Sequence, residues 1–181
     1  MNTIHENNMS SIDDLHKDDG SNIQLNDEYT LWGHNLDDRN WSISGYKKMC
    51  TIRTVSDFWR LFNNFKKIGW KFMHFYFMRS TVEPTWEHPL NRGGGICSFK
   101  VQTDNALEVW ESLNVKMMCD QLSSLSEDIN GISISPKNQD WALIKIWNKD
   151  MKNDLMITLN PEITQAYKDL SIQYKATNPE Y

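Results

Sequence analysis

The sequence predicts an α+β fold: an antiparallel β-sheet of about eight strands with three helices packed on one of its faces. Short segments with the alternating apolar pattern of half-buried strands recur along the chain. The helical stretches among them are too few and too irregularly placed for β-α-β alternation. No repeat and no interior linker interrupts residues 25–181, so this stretch is read as one domain, with the sheet's second face left free for a ligand.

Residues 1–24 are rich in Asn, Ser, Asp and His, with isolated apolar residues that form no continuous face, and are expected to be a disordered polar tail. Strand signals follow at 29–32, 46–52, 70–77, 96–101, 132–134, 142–147, 155–159 and 172–174. The first helix begins at Thr54, whose hydroxyl suits the free amides of an opening turn. Val55, Phe58, Trp59, Phe62 and Phe65 recur at helical spacing through Lys66. The second starts near Thr103 or Asp104, turns Leu107, Trp110 and Leu113 inward, and continues toward Leu122. The third has Asn160 as cap, Pro161 where a missing amide costs nothing, and Glu162 against the helix dipole. Ile163, Ala166, Tyr167 and Leu170 make its buried stripe. Pro84, the glycine run 93–95 and residues 123–130 read as loops.

Eight Trp in 181 residues is a large excess. The formal charge of −5 argues against a protein that coats nucleic acid through phosphates, which needs a dense Lys/Arg surface. A nucleic-acid role must therefore be local. Cys50, Cys97 and Cys119 show no metal-ligand spacing and leave one thiol over in any disulfide scheme. A reducing, cytoplasmic setting is expected, with no cofactor or metal. No apolar stretch marks a signal peptide or membrane span.

The most informative stretch is Glu83-Pro84-Thr85-Trp86-Glu87, where proline restricts the backbone before an aromatic beside an acid. Trp41 lies in the polar run Asp37-Asp38-Arg39-Asn40-Trp41-Ser42, poor company for a core residue. Two loop indoles and a carboxylate suit guanine. The rings can sandwich the base, and the acid can accept from its N1–H and exocyclic amine. Methylation at N7 adds a positive charge that strengthens both attractions.

In order along the chain, Leu31-Trp32, Trp41, Thr54-Val55-Ser56-Asp57-Phe58-Trp59, Glu83 to Glu87, Arg92-Gly93-Gly94, Trp110 and Ile144-Lys145-Ile146-Trp147 resemble the eukaryotic translation initiation factor 4E family. The resemblance covers roughly residues 25–174. It implies a curved antiparallel sheet backed by three helices, with the 7-methylguanosine cap of mRNA bound in the concave face of a monomer. Trp41 and Trp86 would stack on the base, Glu87 pair with its edge, and Trp147 lie against the methyl group. Trp59, with Val55 and Leu25, would receive a helical peptide from a 4G-like scaffold or a 4E-binding repressor on the convex back. A helix-core role is the alternative for Trp59, and Trp32 and Trp110 are assigned to the core.

The chain departs from the family pattern at the triphosphate. Residues 135–143 are about one residue longer than the usual segment, so Lys137 or Asn138 falls at the family's Arg position and Leu143 at its Lys position. Strand alternation groups Leu143, Lys145 and Trp147, making Lys145 a substitute. Lys137, Lys145 and Arg92 are the phosphate candidates, against ordinary surface roles. Trp141 has no family counterpart. On the convex side only Leu25 of the usual His-Pro-Leu survives, and Tyr29 stands where the family has Trp. This drift leaves a cap-binding repressor as the alternative to an initiation factor, and an apolar-ligand module as a third reading. Catalysis finds no support, because Glu87 and His88 lack a nucleophile or metal set.

Overall fold

The computed structural model describes residues 23–177, so most of the expected tail lies outside the described residues and Gln24 already opens the first strand. Among the described residues seven strands form one antiparallel sheet: β1 (Gln24–Asn35), β2 (Lys47–Thr54), β3 (Met73–Arg79), β4 (Gly95–Gln102), β5 (Ile129–Pro136), β6 (Trp141–Asn148) and β7 (Ser171–Ala176). Their order across the sheet is β2-β1-β3-β5-β6-β4-β7. The helices are α1 (Val55–Phe62), α2 (Pro89–Arg92), α3 (Thr103–Met118), α4 (Leu155–Thr158) and α5 (Pro161–Ala166). No helix among the described residues is long and apolar enough to cross a membrane.

The eighth expected strand, 155–159, is instead α4. Leu155, Ile157 and Leu159 fall at alternate positions, but Asp154 accepts a hydrogen bond from the Met156 amide at 2.8 Å and starts a helical turn that leaves Ile157 82% exposed. Residues 70–72 form a 3-10 turn that delays β3 to Met73, and the glycine run is only partly loop because Gly95 starts β4. The first helix stops at Phe62, and a separate 3-10 turn at Phe65–Ile68 ends on Gly69 with φ 77°. That left-handed conformation suits glycine, which has no Cβ to clash.

Period-two patterning divides the sheet into two faces. Leu31, Phe75, Phe77, Cys97, Phe99, Ile132, Ile134, Ile144 and Ile146 point to the helices, where Phe58, Phe62, Phe65, Trp110 and Leu113 complete the core. Trp110 also donates its indole N–H to the Ile132 carbonyl at 3.3 Å, satisfying the one polar atom that its burial would strand. Thr54 and Asp57 cap α1 reciprocally: Thr54 Oγ1 accepts from the Asp57 amide at 3.0 Å, and Asp57 Oδ2 accepts from the Thr54 amide at 3.1 Å. With α1, α3, α4 and α5 supplying the core on one side, the buried apolar residues on the opposite face of the curved sheet form, among the described residues, the small cluster Tyr76, Met78, Val82, Ile96 and Trp147, flanked by Trp32 and Tyr46.

Candidate nucleotide-binding site

The open face has a continuous aromatic floor. Trp41 meets Tyr46 edge-on at 6.4 Å between ring centroids, Tyr46 meets Tyr76 at 5.4 Å, Tyr76 meets Trp147 at 6.1 Å, and Trp147 meets Trp86 at 6.3 Å. Tyr76 and Trp147 are buried at 6% and 2% exposed and Tyr46 is half-buried, whereas Trp41 is 50% and Trp86 45% exposed. Two indoles thus stand free at the ends of an apolar strip, an arrangement that leaves hydrophobic area in water unless a flat ligand covers it. Trp147 belongs to the floor rather than to a lip. Its Nε1–H donates to Ser133 Oγ at 3.0 Å, and its orthogonal contact at 89° supports the Trp86 ring. Glu87 is exposed. Burial first, and the Glu87 charge to a smaller degree, push the Tyr46 phenol up to about 12.

The Trp86 loop is held from beneath by two asparagines that carried no signal in the sequence. Asn91, 1% exposed, donates to the carbonyls of Glu83 (2.9 Å) and Thr85 (2.7 Å). Its Oδ1 accepts from Asn130 Nδ2 at 2.8 Å, and Asn130 also donates to the Leu90 carbonyl at 2.6 Å. Pro84 and Thr85 are buried while Trp86 and Glu87 face solvent. The loop is thereby fixed before any ligand arrives, which reduces the ordering cost of binding.

Trp41 is fixed differently. Its ring lies flat on the His34 imidazole, with centroids 4.2 Å apart and planes 7° from parallel. His34 is fully buried, and its Nε2 is 2.9 Å from the Asn40 carbonyl. Asn40 Oδ1 accepts from the Ser42 amide at 3.1 Å and the Ser42 hydroxyl at 2.7 Å, closing the loop on itself. One Trp41 face is therefore taken by His34, and the other is the face a ligand can use.

Beyond the floor the cleft turns basic. The pairing Gly131↔Trp147, Ser133↔Lys145, Ser135↔Leu143 and Pro136↔Ala142 runs without a break, so residues 133, 135 and 137 share a face with 145, 143 and 141. This register puts Lys137 and Lys145 together on the open face. Lys145 is held below the usual ammonium range by burial first and by the Lys137 charge second. His74, opposite His34 in the β1–β3 pair, is pushed down to about 4 by burial, then by Lys137, His34 and Lys145. Among the described residues no carboxylate lies within ion-pair distance of either lysine. Clustered cations without counterions form a site that an anion relieves. Arg92 does not join them. It ends α2 beside Gly93 and Gly94, which pack on Asn148 and Lys149 at the far end of β6 from Lys137.

On the helical side, Trp59 is 41% exposed on α1, with Val55 half-buried at its start. Leu25 lies next to them because Gln24 pairs with Thr54 and the Val55 amide donates to the Ile23 carbonyl at 3.0 Å. The helix-core role considered for Trp59 therefore does not hold.

A family model described as eukaryotic initiation factor 4E matches residues 24–180. Eukaryotic translation initiation factor 4E-1 of Caenorhabditis elegans is 27% identical over 159 residues, covering 81% of this chain and 74% of that protein. A homologue from Acanthamoeba polyphaga mimivirus is 27% identical over 139 residues, and this chain spans about half of it, 51%. Among solved structures, C. elegans eIF4E-3 with the 4E-binding protein Mextli and a cap analog superposes with a TM-score of 0.72 at 20% identity, covering 85% of this chain and 92% of that one. Ascaris suum eIF4E-3 with m7G cap gives 0.72 at 20% identity, covering 87% and 93%. At that identity the superpositions speak for the fold, and the family match speaks for descent: the chain belongs to the eukaryotic initiation factor 4E family.

Proposed function

We propose that the open face binds the 7-methylguanosine cap of mRNA, and that the protein brings capped mRNA to the translation initiation machinery in the cytoplasm. The base lies between the free face of Trp41 and the ring of Trp86. Glu87 accepts hydrogen bonds from the guanine N1–H and amine, the edge of Trp147 closes the methyl side, and Lys145 and Lys137 receive the triphosphate. On the opposite face, Trp59, Val55 and Leu25 accept a helical peptide from a scaffold protein; that a C. elegans relative has been solved with a 4E-binding protein, Mextli, supports a protein partner.

The observation that carries this reading is the pairing of two half-exposed indoles across one aromatic floor, with a carboxylate near one end and unpaired lysines near the other. Two stacked faces offer about 1–3 kcal/mol each, against an association cost of at least about 4 kcal/mol. Stacking alone is marginal, so the charge on the methylated ring and the phosphate contacts are both required. Capture on immobilised 7-methylguanosine triphosphate, eluted by the same ligand but not by GTP, tests the reading. Trp86→Ala and Glu87→Ala should each abolish capture while the far-ultraviolet spectrum stays unchanged. A Glu87→Ala protein that still discriminates methylated from plain guanine would overturn the edge assignment.

A further inference from the structure

We propose that Trp141, flanked by Lys100 and Lys137, is a second stacking platform that takes the base of the first transcribed nucleotide of a capped RNA. The inference rests on the cap reading above and extends that site along the sheet.

Trp141 opens β6 in the same alternating set as Leu143, Lys145 and Trp147, so it lies on the open face. The Lys137 amide donates to the Trp141 carbonyl at 2.9 Å, which makes Lys137 its cross-strand neighbour. Read along β6, the open face presents an aromatic that belongs to the base site, then a cation, then Leu143, then a second aromatic. Six residues of strand separate Trp147 from Trp141, about 20 Å. An extended ribose–triphosphate–ribose bridge is on this scale, and Lys145 stands on the path.

Nothing in the core requires an indole here. The Trp141 ring joins neither hydrophobic cluster, and the hairpin that carries it is closed by other atoms. Asn138 Oδ1 accepts from the amides of Asp140 and Trp141, both at 2.9 Å. The side chain is half-exposed, and the ammonium of Lys100 sits 4.3 Å from its ring centroid. Lys100 reaches it diagonally, since its own cross-strand partner is Leu143. An aromatic ring with cations around it is the pairing that single-stranded nucleic acid uses, the ring for the base and the cations for the backbone. Trp141 also walls a groove of about 430 Å³ with Gln102, Thr103, Asp104, Gln139 and Asp140. These groups suit a base edge, and the two acids repel phosphate, which leaves the lysines as the phosphate path.

The test compares two ligands, 7-methylguanosine triphosphate and the capped dinucleotide 7-methylguanosine-triphospho-adenosine, titrated by calorimetry at fixed salt. Trp141→Ala should weaken the dinucleotide about tenfold, the size expected of one lost base stack, and leave the mononucleotide within about twofold. Trp141→Phe, which keeps a stacking ring and guards against a folding artefact, should retain most of the dinucleotide affinity. Equal loss for both ligands, or loss for neither, overturns the platform while leaving the cap site intact. A wild-type protein that binds neither ligand overturns the cap reading itself and the platform with it.

Discussion

Replacing Asn91 by Ala should release the Trp86 loop. The substitution removes two donated hydrogen bonds, to the carbonyls of Glu83 and Thr85, and the acceptor used by Asn130. Asn91 is 1%, Asn130 0% and Thr85 6% exposed, so the Asn130 amide and the Thr85 carbonyl start without water, whereas the carbonyl of exposed Glu83 lies at the wetter edge. A buried polar group stripped of its partner costs about 1–3 kcal/mol. Water entering the space of the lost amide recovers part of that for three neighbouring groups, and the net loss should be about 2–4 kcal/mol. In a domain of this size each kcal/mol lowers the melting temperature by roughly 2–4 °C, so the midpoint should fall by roughly 4–16 °C. Urea denaturation followed by circular dichroism measures the stability, and cap titration measures the site. Affinity should fall along with stability, because the variant must order the loop on binding. Asn91→Asp discriminates further: it keeps the shape and the acceptor for Asn130 but turns a carboxylate toward two carbonyls, so it should be at least as damaging as Ala. Stability within about 0.5 kcal/mol of wild type in both variants, with unchanged cap affinity, would refute the anchoring role.

His74 makes stability depend on pH. Its folded value of about 4 lies below its ordinary 6.5, so the unfolded chain binds the proton first. The contribution is complete above about pH 6.5 and is lost as pH falls toward 4, by about 3 kcal/mol over that window; His74→Gln should flatten this part of the denaturation profile. Lys145→Ala should weaken cap binding and reduce the slope of log affinity against log salt by about one, and an unchanged slope would remove Lys145 from the phosphate site. Trp59→Ala should abolish pull-down by a scaffold-derived helical peptide without altering cap capture, since the two lie on opposite faces of the sheet. A wild-type protein that captures cap but no such peptide would favour a repressor.

Much of the fold was legible because period-two patterning and a single buried face nearly determine a sheet. The alternation in Ile144, Ile146 and their neighbours fixes which side meets the helices, and Thr54 and Asn160 mark helix starts by their own side-chain chemistry. The pattern failed at 155–159, where three alternate apolar residues fit a strand as well as a turn of helix, and only the capping Asp154 decided between them. Trp41 and Trp86 stood out as aromatics in polar or proline-bound loops, a mismatch visible in one dimension. Their supports were not. Asn91 and Asn130 lie 39 residues apart, and a lone asparagine has no periodicity to betray burial. The stack of His34 beneath Trp41 needs the loop to fold back on its own strand. The lysines were ambiguous for a related reason: an extra residue shifts any count made along the chain, whereas the ladder between β5 and β6 settles which side chains share a face.

The long excursion from β3 to β4 passes the ends of two strands, β5 and β6, that stand between them in the sheet. Trp86 rides on this excursion, while Trp41 rides on the hairpin joining β1 to β2, near the other margin. A guest gripped by both would act as a keystone between parts of the arch that hold one another only through successive backbone ladders. Loading should then slow amide exchange at the margins of the arch as well as in the cleft, a signature that a ligand lodged within a single loop would lack.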